Sequence, residues 1–290
     1  MKIIFFGTSF YCQPILEVIH KNFELVGIVT KKESLIEKYA LKYNLSCFTP
    51  NDKKELLFTG KDLNNLKPDL AIVSDYGLII PKEIFTIPRH QTLNIHFSKL
   101  PKFRGPSPVQ YTILNGEKSA WITIILMDEG MDTGDIVFQK EVSSINTQQL
   151  TIDNETTESL YRKLFKIAAM ELSQVIHDYT NNKLKPLRQL NSAATYTKSF
   201  TRQDGFISHQ ALDKAIKGKG AIKMERMFRA LSPWPGVWTI INIPQPKRLK
   251  LLKSHIENNR LVLDEVQLEG KKPVSWKQFI EGYPDFSFLK

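Results

Sequence analysis

Two polar side chains stand two residues apart in the segment LNIHFSKLPKFRGPSPVQ, which covers residues 93–110. If the segment is extended, Asn94 and His96 point to the same side, because side chains alternate along a strand. A histidine exchanges protons near neutral pH, and an asparagine amide can donate a hydrogen bond to a developing oxyanion. The acidic segment MDEGMDTGD (127–135) offers carboxylates that could orient the imidazole or carry a proton. In the absence of a candidate Ser or Cys nucleophile, this combination favours direct attack of a substrate amine on a carbonyl carbon.

The sequence lacks the motifs of several other activities. GTSFYC after the first apolar run is not G-x-G-x-x-G, so we expect no dinucleotide site. Neither a Walker A motif nor a G-x-S-x-G motif occurs. The sequence also lacks H-E-x-x-H and C-x-x-C, so we expect no metal site. A lone histidine is more often structural than catalytic, and His96 differs only because Asn94 and the acidic segment accompany it. We interpret the other histidines as structural: His20, His90, His177, His209 and His255.

The cysteine content indicates the compartment. Cys12 and Cys47 form neither a C-x-x-C pair nor a disulfide framework, so we expect a reducing, cytoplasmic location. No run of 18 or more apolar residues predicts a membrane span, and the opening MKIIFFG predicts a buried strand and not a signal peptide.

The elements that must position Asn94 and His96 alternate between strands and helices. Short apolar runs at residues 2–7, 24–30, 69–75 and 91–96 are separated by segments with helical spacing. This alternation predicts a Rossmann-like α/β domain with a parallel sheet. Ligands of such sheets bind at the carboxyl ends of the strands, where we expect both the Asn94–His96 pair and the acidic segment.

Length and charge predict a second domain with a polyanionic partner. A chain of 290 residues exceeds what one core usually holds, and we expect a catalytic domain at 1–183, a linker at 184–204 and a C-terminal domain at 205–290. The short alternating segments of the last part predict a small OB-like β-barrel. Residues 1–182 contain 20 basic and 21 acidic side chains, whereas residues 183–290 contain 20 and 9. The alternative interpretation of this excess is a solvated basic surface.

Several motifs resemble those of the formyltransferases that use 10-formyltetrahydrofolate. The family's N-I-H-x-S-x-L-P-x-x-R-G run is similar to residues 94–105, and its M-D-x-G-x-D-T-G run is similar to residues 127–134. The resemblance extends over almost the whole chain, and its C-terminal motifs are similar to those of members that act on methionyl-tRNA. The further similar segments are 5–16, 75–81, 229–239 and 268–283.

The resemblance implies that 10-formyltetrahydrofolate donates a formyl group to methionine on initiator tRNA, for translation initiation. Asn94 and protonated His96 would stabilise the oxyanion, while Asp132 would hold the imidazole and help to move the proton to the folate nitrogen. No metal is implied, and a monomer is expected. The implied folate contacts are Ser98, Lys99, Leu100, Pro101, Leu78 and Asp128. Tyr11 stands at the position of a family residue near the methionine pocket, and Arg104 is a further expected substrate contact. On the basis of their clustering in the basic C-terminal part, we expect four residues to contact tRNA phosphates: Lys247, Arg248, Lys250 and Lys253.

The chain departs from the family pattern in a few places. The usual long basic loop after the second strand is missing, so that only Lys31 and Lys32 remain there. Ser9 and Phe10 replace the usual proline and its neighbour, Tyr11 stands where a phenylalanine is usual, and Lys99 replaces a common leucine.

Two other functions stay open. One is an N-formyltransferase that acts on a nucleotide-linked amino sugar, and the other is a tRNA-binding protein with a retired active site. The basic C-terminal part favours tRNA over a small nucleotide sugar, and the intact Asn94, His96 and Asp132 argue against a retired site.

Overall fold

The computed structural model describes residues 1–142, 144–145, 148–149, 152–243 and 245–284. The described chain forms two compact units. The first consists of the described residues within 1–108, 119–150 and 161–197, and the second consists of the described residues within 109–118, 151–160 and 198–290.

A seven-stranded sheet forms the centre of the first unit, with strand order β3-β2-β1-β4-β5-β6-β7. Its first strand along the chain is apolar and inaccessible, since Ile3, Ile4 and Phe5 are at most 1% exposed. Such strands are expected where helices cover both faces of a parallel sheet. The strands are β1 (Lys2–Phe6), β2 (Glu24–Val29), β3 (Cys47–Phe48), β4 (Leu70–Ser74), β5 (Thr92–His96), β6 (Ala120–Leu126) and β7 (Ile136–Val142).

The first five strands run parallel, which confirms the predicted Rossmann-like fold, but β6 runs antiparallel to both of its neighbours, β5 and β7. Leu126 at the end of β6 pairs with Leu93, and Thr123 pairs with His96. The acidic segment therefore starts at the opposite end of β5 from His96. The expectation that the acidic segment begins at the carboxyl ends of the parallel strands is wrong, because the strand before it runs in the opposite direction.

The helices up to residue 197 begin at recognisable signals. Ser34 caps one helix by accepting from Glu37 N, Asp52 caps another by accepting from Glu55 N, and Pro14 lies in the first turn of a third. The helices are α1 (Gln13–Asn22), α2 (Leu35–Lys42), α3 (Lys53–Phe58), α4 (Gly60–Asn65), α5 (Lys82–Phe85), α6 (Pro108–Leu114) and α7 (Thr157–Thr180). A short ladder pairs β8 (Ser144–Ile145) with β9 (Gln148–Gln149).

The second unit contains a four-stranded antiparallel sheet, which agrees with the predicted small β-barrel. Leu249 and Leu251 on one face of its longest strand are buried, and helices that the sequence did not predict complete the core. The strands are β10 (Val237–Ile243), β11 (Gln245–Glu257), β12 (Arg260–Leu268) and β13 (Val274–Ser275). The helices are α8 (His209–Ile216), α9 (Ala221–Ala230) and α10 (Trp276–Gly282).

Candidate active site

Strand β5 holds Asn94 and His96 on one face of the sheet. They are two residues apart in a regular strand, so the alternation of side chains brings the amide and the imidazole to the same side. His96 is 6% exposed, while Asn94 is partly exposed. The ring is thereby shielded, and the amide keeps access to a ligand.

Asp132 meets both residues from the segment between β6 and β7. Its Oδ1 accepts a hydrogen bond from Asn94 Nδ2 at 3.3 Å, and its Oδ2 lies 3.5 Å from His96 Nδ1. The same Oδ2 accepts a hydrogen bond from the backbone N–H of Gly105 at 2.7 Å. Asp132 has a φ of 53°, an unusual conformation for a non-glycine residue that is often found at functional sites. The segment therefore folds back along the sheet face to bring its carboxylate to His96.

The hydrogen bonds of His96 assign its ring nitrogens. Nε2 lies 2.9 Å from the carbonyl oxygen of Phe103, and because a carbonyl oxygen only accepts, this nitrogen carries a proton. Nδ1 faces Asp132, so it is the nitrogen that can gain or lose a proton during a reaction. With Nδ1 protonated, the ring donates to an oxygen on each side. The site can therefore hold one proton between His96 and Asp132.

A buried network fixes the segment that carries Asp132. Arg104 is 1% exposed and donates to Gln189 Oε1 from Nε at 3.1 Å and from Nη2 at 2.8 Å, and to Asn191 Oδ1 at 2.9 Å. Gln189 Nε2 in turn donates to the carbonyl oxygens of Asp132 at 2.9 Å and Gly134 at 2.7 Å. Arg104 was expected to contact the substrate, but its donors face the chain itself, so we propose it as a positioning residue. Gln189 was missed, because it lies in a polar segment without periodicity.

The residues expected at the folate site differ in their accessibility. Ser98 is 1% exposed, donates to Lys102 O at 2.6 Å and accepts from Thr123 Oγ1 through its carbonyl at 2.6 Å, and Leu100 is 2% exposed. These two side chains are buried beneath the loop and stabilise its conformation. Pro101 and Leu78 are partly exposed, and Lys99 is exposed with its ammonium 4.2 Å from the centre of the Trp121 ring.

Asp128 organises the turn within the acidic segment. Its Oδ1 accepts from Thr133 Oγ1 at 2.6 Å and from Gly130 N at 3.1 Å. Next to it, Glu129 pairs with Lys82 at 2.6 Å, and this hydrogen bond raises the pKa of Lys82 and lowers that of Glu129. Asp128 thus supports the shape of the segment that carries Asp132.

Tyr11 belongs to an aromatic cluster beside β5. Its ring is stacked with Tyr161 at 5.5 Å and with Phe165 at 6.3 Å, and Phe97, which follows His96, packs edge-on against Phe165 at 4.6 Å. Burial raises the pKa of the Tyr161 hydroxyl, and the nearby Asp75 carboxylate adds to the shift. The cluster places Tyr11 near the strand of the two site residues.

The basic residues expected to contact tRNA lie on β11 and do not share one face. Alternation along the strand groups Lys247 with the buried Leu249, while Arg248 and Lys250 point outward. Arg248 lies over the Trp238 ring at 4.6 Å, and Lys253 pairs with Glu265 at 2.6 Å. Arg248 and Lys250 are therefore the strongest candidates for a nucleic-acid contact.

The part of the chain that the structure describes contains neither a candidate metal site nor a helix that could span a membrane. Within 1–142, 144–145, 148–149, 152–243 and 245–284, no group of three or more His, Cys, Asp or Glu side chains could hold a metal ion. In the same part of the chain, no helix has the length and apolar content needed to cross a membrane.

Comparisons with known proteins identify the family. The family model described as formyl transferase matches residues 1–176, and the model of the formyl transferase C-terminal domain matches residues 218–261. The methionyl-tRNA formyltransferase of Clostridium novyi (strain NT) is 31% identical over 97% of this chain and 97% of its own length. The chain belongs to the formyltransferase family, among the methionyl-tRNA formyltransferases.

Solved formyltransferases share the fold. The methionyl-tRNA formyltransferase from Clostridium thermocellum superposes with a TM-score of 0.63 at 22% identity, covering 92% of this chain and 98% of its own. An N-formyltransferase from Helicobacter canadensis, in complex with folinic acid and dTDP-3-aminofucose, gives a TM-score of 0.62 at 23% identity and covers 89% and 88% of the two chains. At these identities both comparisons show the fold of this formyltransferase and nothing finer.

Proposed function

We propose that the chain transfers the formyl group of 10-formyltetrahydrofolate to the α-amino group of methionine on initiator tRNA, in translation initiation. The observation that carries the proposal is the carboxylate of Asp132, which lies within 3.5 Å of the Asn94 amide, the His96 ring and the Gly105 N–H in a member of the methionyl-tRNA formyltransferase family.

Asn94, His96 and Asp132 divide the chemistry between an oxyanion and a proton. The folate supplies a formyl carbon, the amine forms a new C–N bond to it, and the bond from that carbon to the folate nitrogen breaks. Asn94 uses one amide N–H toward Asp132 and directs the other at the formyl oxygen, where negative charge develops. The proton that the amine loses passes through Nδ1 of His96 and Asp132 to the leaving nitrogen.

Exposed apolar side chains beside the site suit the flat ring of a folate. Ile79, in the loop after β4, is 75% exposed, and Met131, next to Asp132, is 58% exposed. The space beside Gly77, in the same loop as Ile79, is open, because a methyl group added there would meet no heavy atom within 4 Å. We propose that Leu78, Lys99, Pro101 and Asp128 contact the folate, while Ser98 and Leu100 shape the loop.

The outer face of β11 fits the phosphate backbone of the tRNA. Arg248 and Lys250 point away from the core, beside the Trp238 ring, and phosphate contacts of this kind give affinity without sequence reading. We propose a catalytic domain at 1–183, a linker at 184–204 and a tRNA-binding domain at 205–290, of which 244 and 285–290 lie outside the described residues. A monomer in the cytoplasm, where aminoacyl-tRNA is made, completes the proposal.

The alternative acceptor is an amino sugar linked to a nucleotide. The observation that favours it is the short connection between β2 and α2, where only Lys31 and Lys32 stand in place of the usual basic loop. The excess of basic residues after position 182 argues for the larger polyanion.

The test is formylation of methionyl initiator tRNA with 10-formyltetrahydrofolate, followed by release and separation of formylmethionine and methionine. Wild-type chain and His96→Ala are compared. We expect turnover that falls by at least about 10²-fold in the variant. Absence of turnover in the wild type, together with formylation of a nucleotide-linked amino sugar, would establish the alternative.

A further inference from the structure

Phe10, Tyr11 and Arg162 form a layered surface beside the candidate active site. The rings of Phe10 and Tyr11 lie 4.0 Å apart at an interplanar angle of 35°. The guanidinium of Arg162, on α7, lies 4.9 Å from the Phe10 ring centre and 5.5 Å from that of Tyr11. Phe10 is 40% exposed and Arg162 is exposed. A large aromatic side chain and a planar cation thus face solvent together.

This surface connects to the strand of the reacting groups through ring contacts. Tyr11 stacks on Tyr161 at 5.5 Å, and Tyr161 lies edge-on to Phe97 at 6.0 Å. Phe97 follows His96 directly in the chain. Residues 10 and 11 follow β1, which lies two strands from β5 and runs parallel to it, so the two strand ends are about 10 Å apart at the usual spacing.

The chemistry of the surface matches a nucleobase. Aromatic rings stack with any base, and an arginine guanidinium adds cation–π attraction and charge near a phosphate. In aminoacyl-tRNA the amino acid is esterified to the ribose of the 3′-terminal nucleotide, so that nucleotide must lie next to the reacting amine. The surface follows a strand whose end is about 10 Å from that of β5, a distance that such a nucleotide can span.

The short connection between β2 and α2 leaves a role for such a surface. The basic loop usual in the family is missing there, and Phe10 occupies one of the positions at which the chain departs from the family pattern. We propose that Phe10, Tyr11 and Arg162 form a stacking platform for the 3′-terminal nucleobase of the acceptor tRNA. This rests on the proposed function, and it states how the acceptor end is held without the loop.

Fluorescence tests the platform directly. The probe is the trinucleotide CCA with 2-aminopurine in place of the terminal adenine, whose emission is quenched when the base stacks. We expect wild-type chain to quench the probe, and Phe10→Ala and Arg162→Gln to lose that quenching. Arg162→Lys keeps the charge without the planar group, so we expect it to recover only part of the quenching. With methionyl-tRNA, the KM should rise about 10-fold in Phe10→Ala, the loss expected for one stacked base.

The matched controls are Phe58→Ala and Lys61→Gln, which remove an exposed phenylalanine and an exposed lysine on α3 and α4. They should quench and turn over like wild type, and thermal unfolding should verify that all variants are folded. Undiminished quenching in Phe10→Ala would overturn the platform, and so would a bright probe with a wild-type chain that formylates methionyl-tRNA. Quenching that depends on Phe10, in a chain without turnover, would support the platform and refute the proposed function.

Discussion

The carboxylate of Asp132 accepts the backbone N–H of Gly105 at 2.7 Å, and this bond joins the segment after β6 to the loop after β5. Gly105 has a φ of 107°, and a methyl group there would lie 2.8 Å from the carbonyl oxygen of Thr197. The glycine is therefore required both by its backbone conformation and by the space around it. The placement of the carboxylate depends on that loop as much as on its own segment.

Replacing Gly105 by alanine should damage stability and activity together. The strained φ and the contact with Thr197 should lower the free energy of unfolding by about 2 kcal/mol, and the displaced N–H should lower kcat about 10-fold. Urea unfolding and formylation assays measure both. Gly282→Ala, where a methyl group meets nothing within 4 Å, is the control. Wild-type stability in Gly105→Ala would contradict this account.

The Asp132→Asn variant should lose catalysis while keeping its shape. An amide cannot take the proton that passes through Nδ1 of His96, so we expect kcat to fall about 10³-fold. Glu129→Gln removes a neighbouring exposed carboxylate, and we expect about a twofold change at most. Steady-state kinetics with methionyl-tRNA measures the two variants. Equal losses in both would assign the effect to the charge of the segment and not to Asp132.

Gln189→Glu should separate positioning from chemistry. A glutamate can still accept from Arg104, but it has no N–H for the carbonyl oxygens of Asp132 and Gly134. Leaving these carbonyls unpaired should cost about 1–3 kcal/mol of stability, and kcat should fall more than the KM for folate changes. Gln203→Glu, at an exposed position, is the control. If only the folate KM changed, Gln189 would act in binding.

Lys250→Gln and Lys247→Gln remove the same charge from opposite faces of β11. Because Lys250 points outward, we expect its loss to weaken tRNA binding and to lower the slope of log affinity against log salt by about one. Lys247→Gln should change that slope less. Filter binding measured over a roughly fourfold range of salt concentration, from about 50 to about 200 mM, would detect the difference between the two slopes. Identical slopes would exclude this face as the phosphate contact.

Both cysteines should resist alkylation in the folded chain. Burial raises the pKa of Cys47 to about 11, with a further contribution from Glu37, and burial also raises the pKa of Cys12. The folded state therefore keeps protons that an unfolded thiol releases above about pH 8.5, so stability falls as the pH rises from there toward 11. Iodoacetamide labelling at pH 8.5, followed by mass spectrometry, should be slow in buffer and fast in urea. The stability of Cys47→Ala should depend less on pH across that window.

The two-residue spacing of Asn94 and His96 was sufficient to predict that they share a face, because alternation is a local property of any strand. The apolar runs likewise predicted the parallel strands. The direction of β6 was not predictable, since parallel and antiparallel strands carry the same buried pattern when both faces are covered. The role of Gln189 was not predictable either, because its partners Arg104 and Asp132 lie more than 50 residues away in the sequence. The residues next to Gln189 form no pattern that indicates these contacts.

The reversal of β6 has a consequence for how the protein matures. Asn94 and His96 are in place once the five parallel strands have assembled. Asp132 lies between β6 and β7, so it reaches them only when that hairpin has formed. Its backbone carbonyl oxygen then accepts a hydrogen bond from Gln189, which is translated still later. We therefore expect a nascent chain that has formed the parallel sheet alone to be inactive. The appearance of activity during refolding would mark the docking of the last hairpin, and it would lag behind the burial of the sheet core.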